Sequence, residues 1–373
     1  FDWTAANPWE AFRSARDYLY QRGRPDPILR RSRGVALVAG LLTGFVLWRW
    51  AGALWGARAG LVALALWAFC PTTIAYSGLA TTDMILTAFF VTAAFFWWRF
   101  LLAPSIPRAI AAGVLLGCAL ATKLTADILL PSFVAAWLWA RRGHLLNAAA
   151  AEWRALVSAG AAATAVLCAA YGFTHVWDHV RLHQALSAVT ARPLGTFFNG
   201  QWRTGGVPVF YAAVLSMKLT LPALILLGAS AWPVNGGRGA APPLRTTRPG
   251  SFLGPLLPAA ALFLAGSAAP YQHGIRYMLP AMALLYIWAA RTRVPALALA
   301  GLLAWHASAP LRSFPHLLPY MNEAWGGYRE AWRYLIDSNT DGGQEVRDLR
   351  LWLAGTRSEC VLSYFGVADL EKE

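Results

Sequence analysis

Apolar residues recur along this chain in runs too long and too unbroken to be one stripe of a surface helix. The runs cover 34–50, 57–75, 84–103, 108–122, 124–140, 155–173, 207–232, 251–269, 277–290 and 294–309. A helix packed on a soluble core keeps a polar face, and these segments keep none. About 20 mainly apolar residues cross a hydrocarbon layer roughly 30 Å thick, so the pattern predicts about ten membrane spans. Runs 108–122, 277–290 and 294–309 are short, as helices inside a bundle can be. Gly113, Gly117, Pro131, Pro222, Pro255, Pro258 and Pro280 fall within runs, which bundled membrane helices tolerate. The expected fold is an all-α polytopic membrane bundle.

Composition agrees. Of 373 residues, 57% are hydrophobic and 13% charged, with mean hydropathy +0.44; a soluble chain carries about 25% charged residues. The net charge of +14 does not indicate nucleic acid. A nucleic-acid domain clusters Lys and Arg on one face, whereas here they fill the short joints between apolar runs, as topology determinants do. Cys70, Cys118, Cys168 and Cys360 show no CxxC spacing, so neither a zinc knuckle nor a disulfide framework is indicated.

The joints differ in charge. One set holds Arg49, Arg58, Arg99, Arg108, Arg141, Arg142, Arg154, Arg238, Arg245, Arg248, Arg291 and Arg293; the other holds Lys123, Arg181, Arg192, Arg203 and Arg276. Twelve against five makes the first set cytoplasmic, with 235–249 a cytoplasmic linker. Both ends of the chain then face outward. Residues 1–33 form an outer interfacial segment, 34–309 the membrane core, and 310–373 an outer tail. The seven arginines of 1–33 suit amphipathic helices with buried stems and wet heads. In the tail, the turn Asp341, Gly342, Gly343 and the strand-like 360–364 suggest a small α/β domain cut short at Glu373. The chain opens at Phe1 without a methionine. An even number of spans, in a protein starting in the cytoplasm, leads us to expect one more helix upstream.

Chemistry gathers in the outward joints. Asp83 follows Thr81 and Thr82 directly before a run, where an aspartate can cap a helix and complement its dipole. Lys123 and Asp127 stand four apart and on one helix could simply pair; charges at membrane depth are nonetheless functional candidates by default. His179 and His183 are one turn apart in the loop 174–206. Without a third ligand an amphipathic interfacial helix is the better reading there. Lys218 sits inside a run and needs an anionic partner unless it snorkels. Arg276 next to Tyr277 suits a phosphate, because its planar fork bonds two oxygens; an interface anchor is the alternative.

These motifs resemble those of the GT-C membrane glycosyltransferases of the protein O-mannosyltransferase type (family 39), with the lipid A aminoarabinose transferase as a cousin. The resemblance is carried by Arg33 and Gly34 through Gly56–Gly60, then Pro71 and Thr81–Asp83; by Gly113 and Gly117 followed by Thr122 and Lys123; by Gly205 and Gly206 leading to Lys218–Pro222; and by Gly274–Pro280. In the tail, Pro319–Gly327 and Tyr334–Gln344 are similar to a bacterial branch, which usually has Trp where Gly342 stands. The resemblance implies a GT-C bundle in the bacterial inner membrane with its active site facing outward. It also implies a polyprenyl-phosphate-linked sugar as donor, inverting transfer, and an acceptor hydroxyl on a protein, lipid or glycan.

The family's usual base is an aspartate after the first helix, upstream of Phe1 in this numbering. Asp83 matches the second acidic position, which helps bind acceptor or metal. Lys123, Lys218 and Arg276 would contact the donor phosphate, with Tyr277 and Gln201 as weaker candidates. The resemblance names no definite cofactor, and a divalent metal is compatible with it. A multipass transporter is a second class, but it tends to show paired inverted repeats, and none stands out. An inactive remnant is a third reading.

Overall fold

The computed structural model describes residues 17–20, 25–190, 195–231 and 253–356. Most of segment 1–33, the linker 235–249 and the strand-like 360–364 lie outside that description. Helix α1 (Pro25–Trp55) already includes residues 25–33, so the first predicted span begins earlier than its apolar run. Residues 25–33, expected in the interfacial segment, are part of this helix.

All ten apolar runs fall on helix over most of their described length. After α1 come α2 (Ala57–Ala68), α3 (Pro71–Ser77), α4 (Asp83–Leu102), α5 (Ile106–Thr122), α6 (Leu129–Arg141) and α7 (Leu145–Ala170). Then follow α8 (Trp177–Thr190), a hairpin of β1 (Gly195–Phe198) and β2 (Gln201–Thr204), α9 (Phe210–Lys218), α10 (Leu221–Ala231) and α11 (Leu253–Ser267). The last elements are α12 (Leu279–Ala289), α13 (Ala296–Ser313), the short α14 (Ala331–Tyr334) and α15 (Val346–Gly355). By length and composition, three of the described helices can cross a bilayer, or up to five if each bent pair is one span.

The bundle is built around α12, which touches α1, α2, α4, α10 and α11. Its residues are apolar all round, and Leu279, Met282, Leu284, Tyr286 and Ile287 are completely buried. That position explains its lack of a polar face and its shortness. Helices α5 and α7 approach closely at Gly113 and Gly117. A Cβ on Gly113 would lie 2.2 Å from the Ala159 carbonyl oxygen, and one on Gly117 2.6 Å from that of Ala163. Small residues at this spacing let membrane helices touch backbone to backbone. The far ends of α6 and α7 are tied by Arg141, whose Nε donates to Glu152 at 2.9 Å while Nη2 donates to the Leu101 carbonyl.

Two predicted spans are bent. Helices α2 and α3 meet at 64°, and α9 and α10 at 116°. The second break shows in its residues. Leu219 is extended, and Pro222, which has no N–H to offer the preceding turn, is tolerated because it falls in the first turn of a new helix. Breaking a helix strands carbonyls that lipid cannot satisfy; here Asn322 meets them. Its Nδ2 donates to the carbonyls of Ser216 (2.6 Å) and Leu219 (2.8 Å), and its main-chain N–H to that of Met217 (2.9 Å). Thr220 Oγ1 accepts from the Ala223 N–H at the start of α10. The segment 318–339, expected in a separate outer tail, is thus packed into the core, with Met321, Asn322 and Leu335 buried.

Candidate active site

One end of the bundle collects Asp83, Lys123, Arg276 and Tyr277. Asp83 opens α4 and is only 3% exposed. The N-cap position falls to Thr82, which makes no side-chain cap bond, while Asp83 stands in the first turn, where its charge complements the helix dipole. Lys123 follows the last residue of α5, and its Nζ lies 2.6 Å from Asp83 Oδ1. Lys123 therefore does not pair with Asp127: the chain leaves α5 there and enters a 3₁₀ turn, Leu124–Ile128, which separates the two side chains. The Lys123 ammonium also stands 4.2 Å from the centre of the Tyr277 ring, a cation–π distance.

Arg276 lies in a second 3₁₀ turn, Ile275–Met278, that leads into α12. Its Cζ is 5.5 Å from the Tyr277 ring centre. Its Nε is buried without a hydrogen-bond partner, and no ion pair reaches the guanidinium among the described residues. Asp83 and Asp337 act on it only through longer-range charge. The half-buried guanidinium thus keeps its Nε without a partner, and an arginine in that state can accept an anion.

The turn carrying Arg276 is clamped from the tail. Asn339 Oδ1 accepts from the Ile275 N–H at 2.9 Å, Ser338 donates to the His273 carbonyl, and Tyr76 donates to the Ser338 carbonyl at 2.5 Å. Gly274, at φ 99°, has no room for a side chain: a Cβ would sit 2.8 Å from both Ser338 Oγ and Asn339 Nδ2. Asp337 lies 3.5 Å from His273 Nδ1. Burial pushes its carboxyl up, but the hydrogen bond with His273 and the Arg276 charge outweigh this and hold it below the ordinary carboxylate range.

Two predicted phosphate contacts stand elsewhere. Lys218 is fully buried, and its Nζ donates to the carbonyls of Leu318 (2.9 Å) and Asn339 (2.6 Å). It needs no anion, because main-chain carbonyls meet its charge. Gln201 is exposed on β2, paired with Phe198 across the Asn199–Gly200 turn. Neither residue joins the Asp83 cluster. The opposite end of the bundle is also charged: a cavity of about 340 Å³ there is lined by Arg49, Arg99 and Arg108 with Phe95 and Trp98. Asp83 and Arg99 begin and nearly end α4, about 24 Å apart at 1.5 Å per residue.

Ser338, Asn339 and Asn322 entered the sequence reading only within the tail motifs, without a role, because their partners lie far away along the chain. It singled out Asp127 as a possible partner of Lys123, but not as the residue that receives His179 and His183. The helical spacing of the two histidines was a signal; their carboxylate partner, more than fifty residues earlier, gave none.

The helical bundle with its two-stranded hairpin has an ArnT-like GT-C fold. Residues 30–168 match the profile of the family described as dolichyl-phosphate-mannose-protein mannosyltransferase. Among solved structures, the chain is similar to ArnT from Cupriavidus metallidurans in the apo state (18% identity, TM-score 0.52), over 76% of this chain and 52% of that one. It is also similar to the same protein bound to undecaprenyl phosphate (17% identity, TM-score 0.51), over 82% of this chain and 52% of that one. The chain thus spans about half the length of the structures it matches. No curated protein matches it by sequence. The profile and the fold agree with the GT-C resemblance read from the motifs.

Proposed function

We propose that this protein transfers a sugar from a polyprenyl-phosphate carrier to a hydroxyl of a protein, lipid or glycan on the outer face of the bacterial inner membrane. The observation that carries the reading is the unpartnered guanidinium of Arg276 beside the Lys123–Asp83 pair. In such a transfer the bond from the sugar anomeric carbon to the phosphate oxygen breaks. The phosphate keeps the electron pair, while the acceptor hydroxyl gives its oxygen to the sugar and its proton to a base. Charge develops on the leaving phosphate, and donors already aimed at it lower the barrier. Arg276 and Lys123 are placed for that, both beside the Tyr277 ring. Asp83, held by Lys123, fixes the ammonium and offers its second oxygen to the acceptor. The ArnT structure bound to undecaprenyl phosphate supports this donor class.

Binding of undecaprenyl phosphate to the detergent-solubilised chain tests the reading. Arg276→Ala should weaken it at least about tenfold, a loss of about 1.4 kcal/mol. Unchanged affinity would remove Arg276 from the phosphate site. A transporter would instead move the carrier or another solute without making a glycosidic bond, and product analysis separates the two.

A further inference from the structure

Helix α8 lies across the joint that carries Lys123, and little apolar packing holds it there. None of its described side chains, 177–185, is buried, and Trp177, Val180 and Leu182 are exposed. Its inward-facing histidines instead converge on one carboxylate. His179 Nε2 is 3.5 Å from Asp127 Oδ1, and His183 Nε2 contacts Asp127 Oδ2. The three ligand atoms lie within 4.8 Å of one another. Asp127 Oδ1 is buried with no hydrogen-bond partner. The other carboxylate on this helix, Asp178, is engaged by His175 and Arg181 and stands outside the group.

We infer that Asp127, His179 and His183 bind a single zinc-class divalent cation that pins α8 across the joint carrying Lys123. The donor chemistry fits. Zinc takes imidazole and carboxylate at about 2.0–2.1 Å, which places tetrahedral ligands about 3.4 Å apart, close to the His179–Asp127 separation of 3.5 Å. Histidines at i and i+4 present both rings on one helix face. A ligating histidine usually bonds its second ring nitrogen to an oxygen, and the Tyr171 hydroxyl lies 3.4 Å from His179 Nδ1. If His179 Nδ1–H donates to that hydroxyl, the Nε2 lone pair is free for the metal. Two imidazoles and one carboxylate leave a fourth position for water or another oxygen ligand.

The cation would act by position. Asp127 belongs to the same 3₁₀ turn that follows Lys123, so fixing that turn fixes where the Lys123 ammonium points. The site stands independently of phosphate binding at Arg276, because none of its ligands touches that residue.

The test uses the full chain, free of any affinity tag and stripped with a chelator, titrated with Zn²⁺ alone. We expect about one tight equivalent per chain, with Asp127→Asn and His179→Ala/His183→Ala each weakening binding at least about tenfold. Zn²⁺ should raise the melting temperature of the wild type and leave that of the double variant unchanged. Should a variant fail to fold, Co²⁺ added to the wild type provides the second reading: intense tetrahedral-type visible absorption is expected, displaced by Zn²⁺. A wild type that shows neither binding nor absorption overturns the site, as does binding that persists undiminished in the double variant. Both readouts are independent of undecaprenyl phosphate affinity, so failure here and failure of the donor assignment are distinguishable.

Discussion

Lys218 donates to the main-chain carbonyl of Asn339 at 2.6 Å, and the side chain of the same asparagine accepts from the Ile275 N–H beside Arg276. One residue of the tail therefore joins the broken α9–α10 span to the turn that presents the free guanidinium. Lys218, expected to grip phosphate, instead holds the frame behind it.

Replacing Lys218 with Met should show this. The substitution keeps the side-chain length and leaves the Leu318 and Asn339 carbonyls without their donor, at about 1–3 kcal/mol for such buried orphaned groups. Thermal unfolding in detergent should shift down accordingly. Undecaprenyl phosphate affinity of the protein that stays folded should fall far less than in Arg276→Ala; an equal fall would return Lys218 to the phosphate site.

Asp83 and Lys123 should behave as one unit. Their side chains are 4% and 22% exposed, so each depends on the other for its partner. A double-mutant cycle with Asp83→Asn and Lys123→Met, read in transfer rate, should give a coupling of about 1 kcal/mol or more. Additive effects would mean that the ion pair does not act in the reaction.

The seam between α5 and α7 should not accept a larger side chain at Gly113. Because the obstructing atom is the Ala159 main-chain oxygen, no rotamer can relieve the clash. Gly113→Leu should separate the helices and cost several kcal/mol, as severe overpacking does. Loss of a monodisperse peak in size-exclusion chromatography would report it, and Gly160→Leu, where the surroundings are open, is the control.

Asp337 gives a pH dependence with a definite sign. Its pKa in the folded protein is lowered, so its contribution to stability is present above the unfolded value of about 3.9 and is lost as pH falls through the lower folded value. The stability difference between wild type and Asp337→Asn should be constant near neutral pH and close below about pH 4. A difference that grew on acidification would reverse the assignment.

Orientation rests on twelve basic residues against five. A reporter fused after residue 240 should remain on the cytoplasmic side; an external reporter there would invert the proposed direction of the active site.

The apolar runs made the helices legible, because a bilayer rewards length and hydrophobicity in the sequence itself. Asp83, Lys123, Arg276 and Tyr277 were legible too, being polar residues stranded at the ends of such runs. Lys218 was visible for the same reason, but its partners are main-chain carbonyls in the tail, and carbonyls leave no mark in a sequence. The bend at Leu219 could have been suspected from Pro222; its angle could not, since Asn322 makes it tolerable. Asp127 looked like a helical partner of Lys123 only on the assumption of unbroken helix across residues 123–127.

The Asn322 and Lys218 bonds also bear on the order in which the protein can be made. Synthesis runs from the N-terminus, so α9 and α10 reach the membrane about a hundred residues before their partners exist: Lys218 waits for Leu318, a separation of 100 positions, and for Asn339, a separation of 121. Until then an ammonium and several open carbonyls lie in an apolar stretch with nothing of their own chain to meet them. The bent pair thus reaches its final hydrogen bonding only when the tail arrives. The arrival of that segment would then complete both the bundle and the turn holding Arg276, so that the proposed phosphate site forms last.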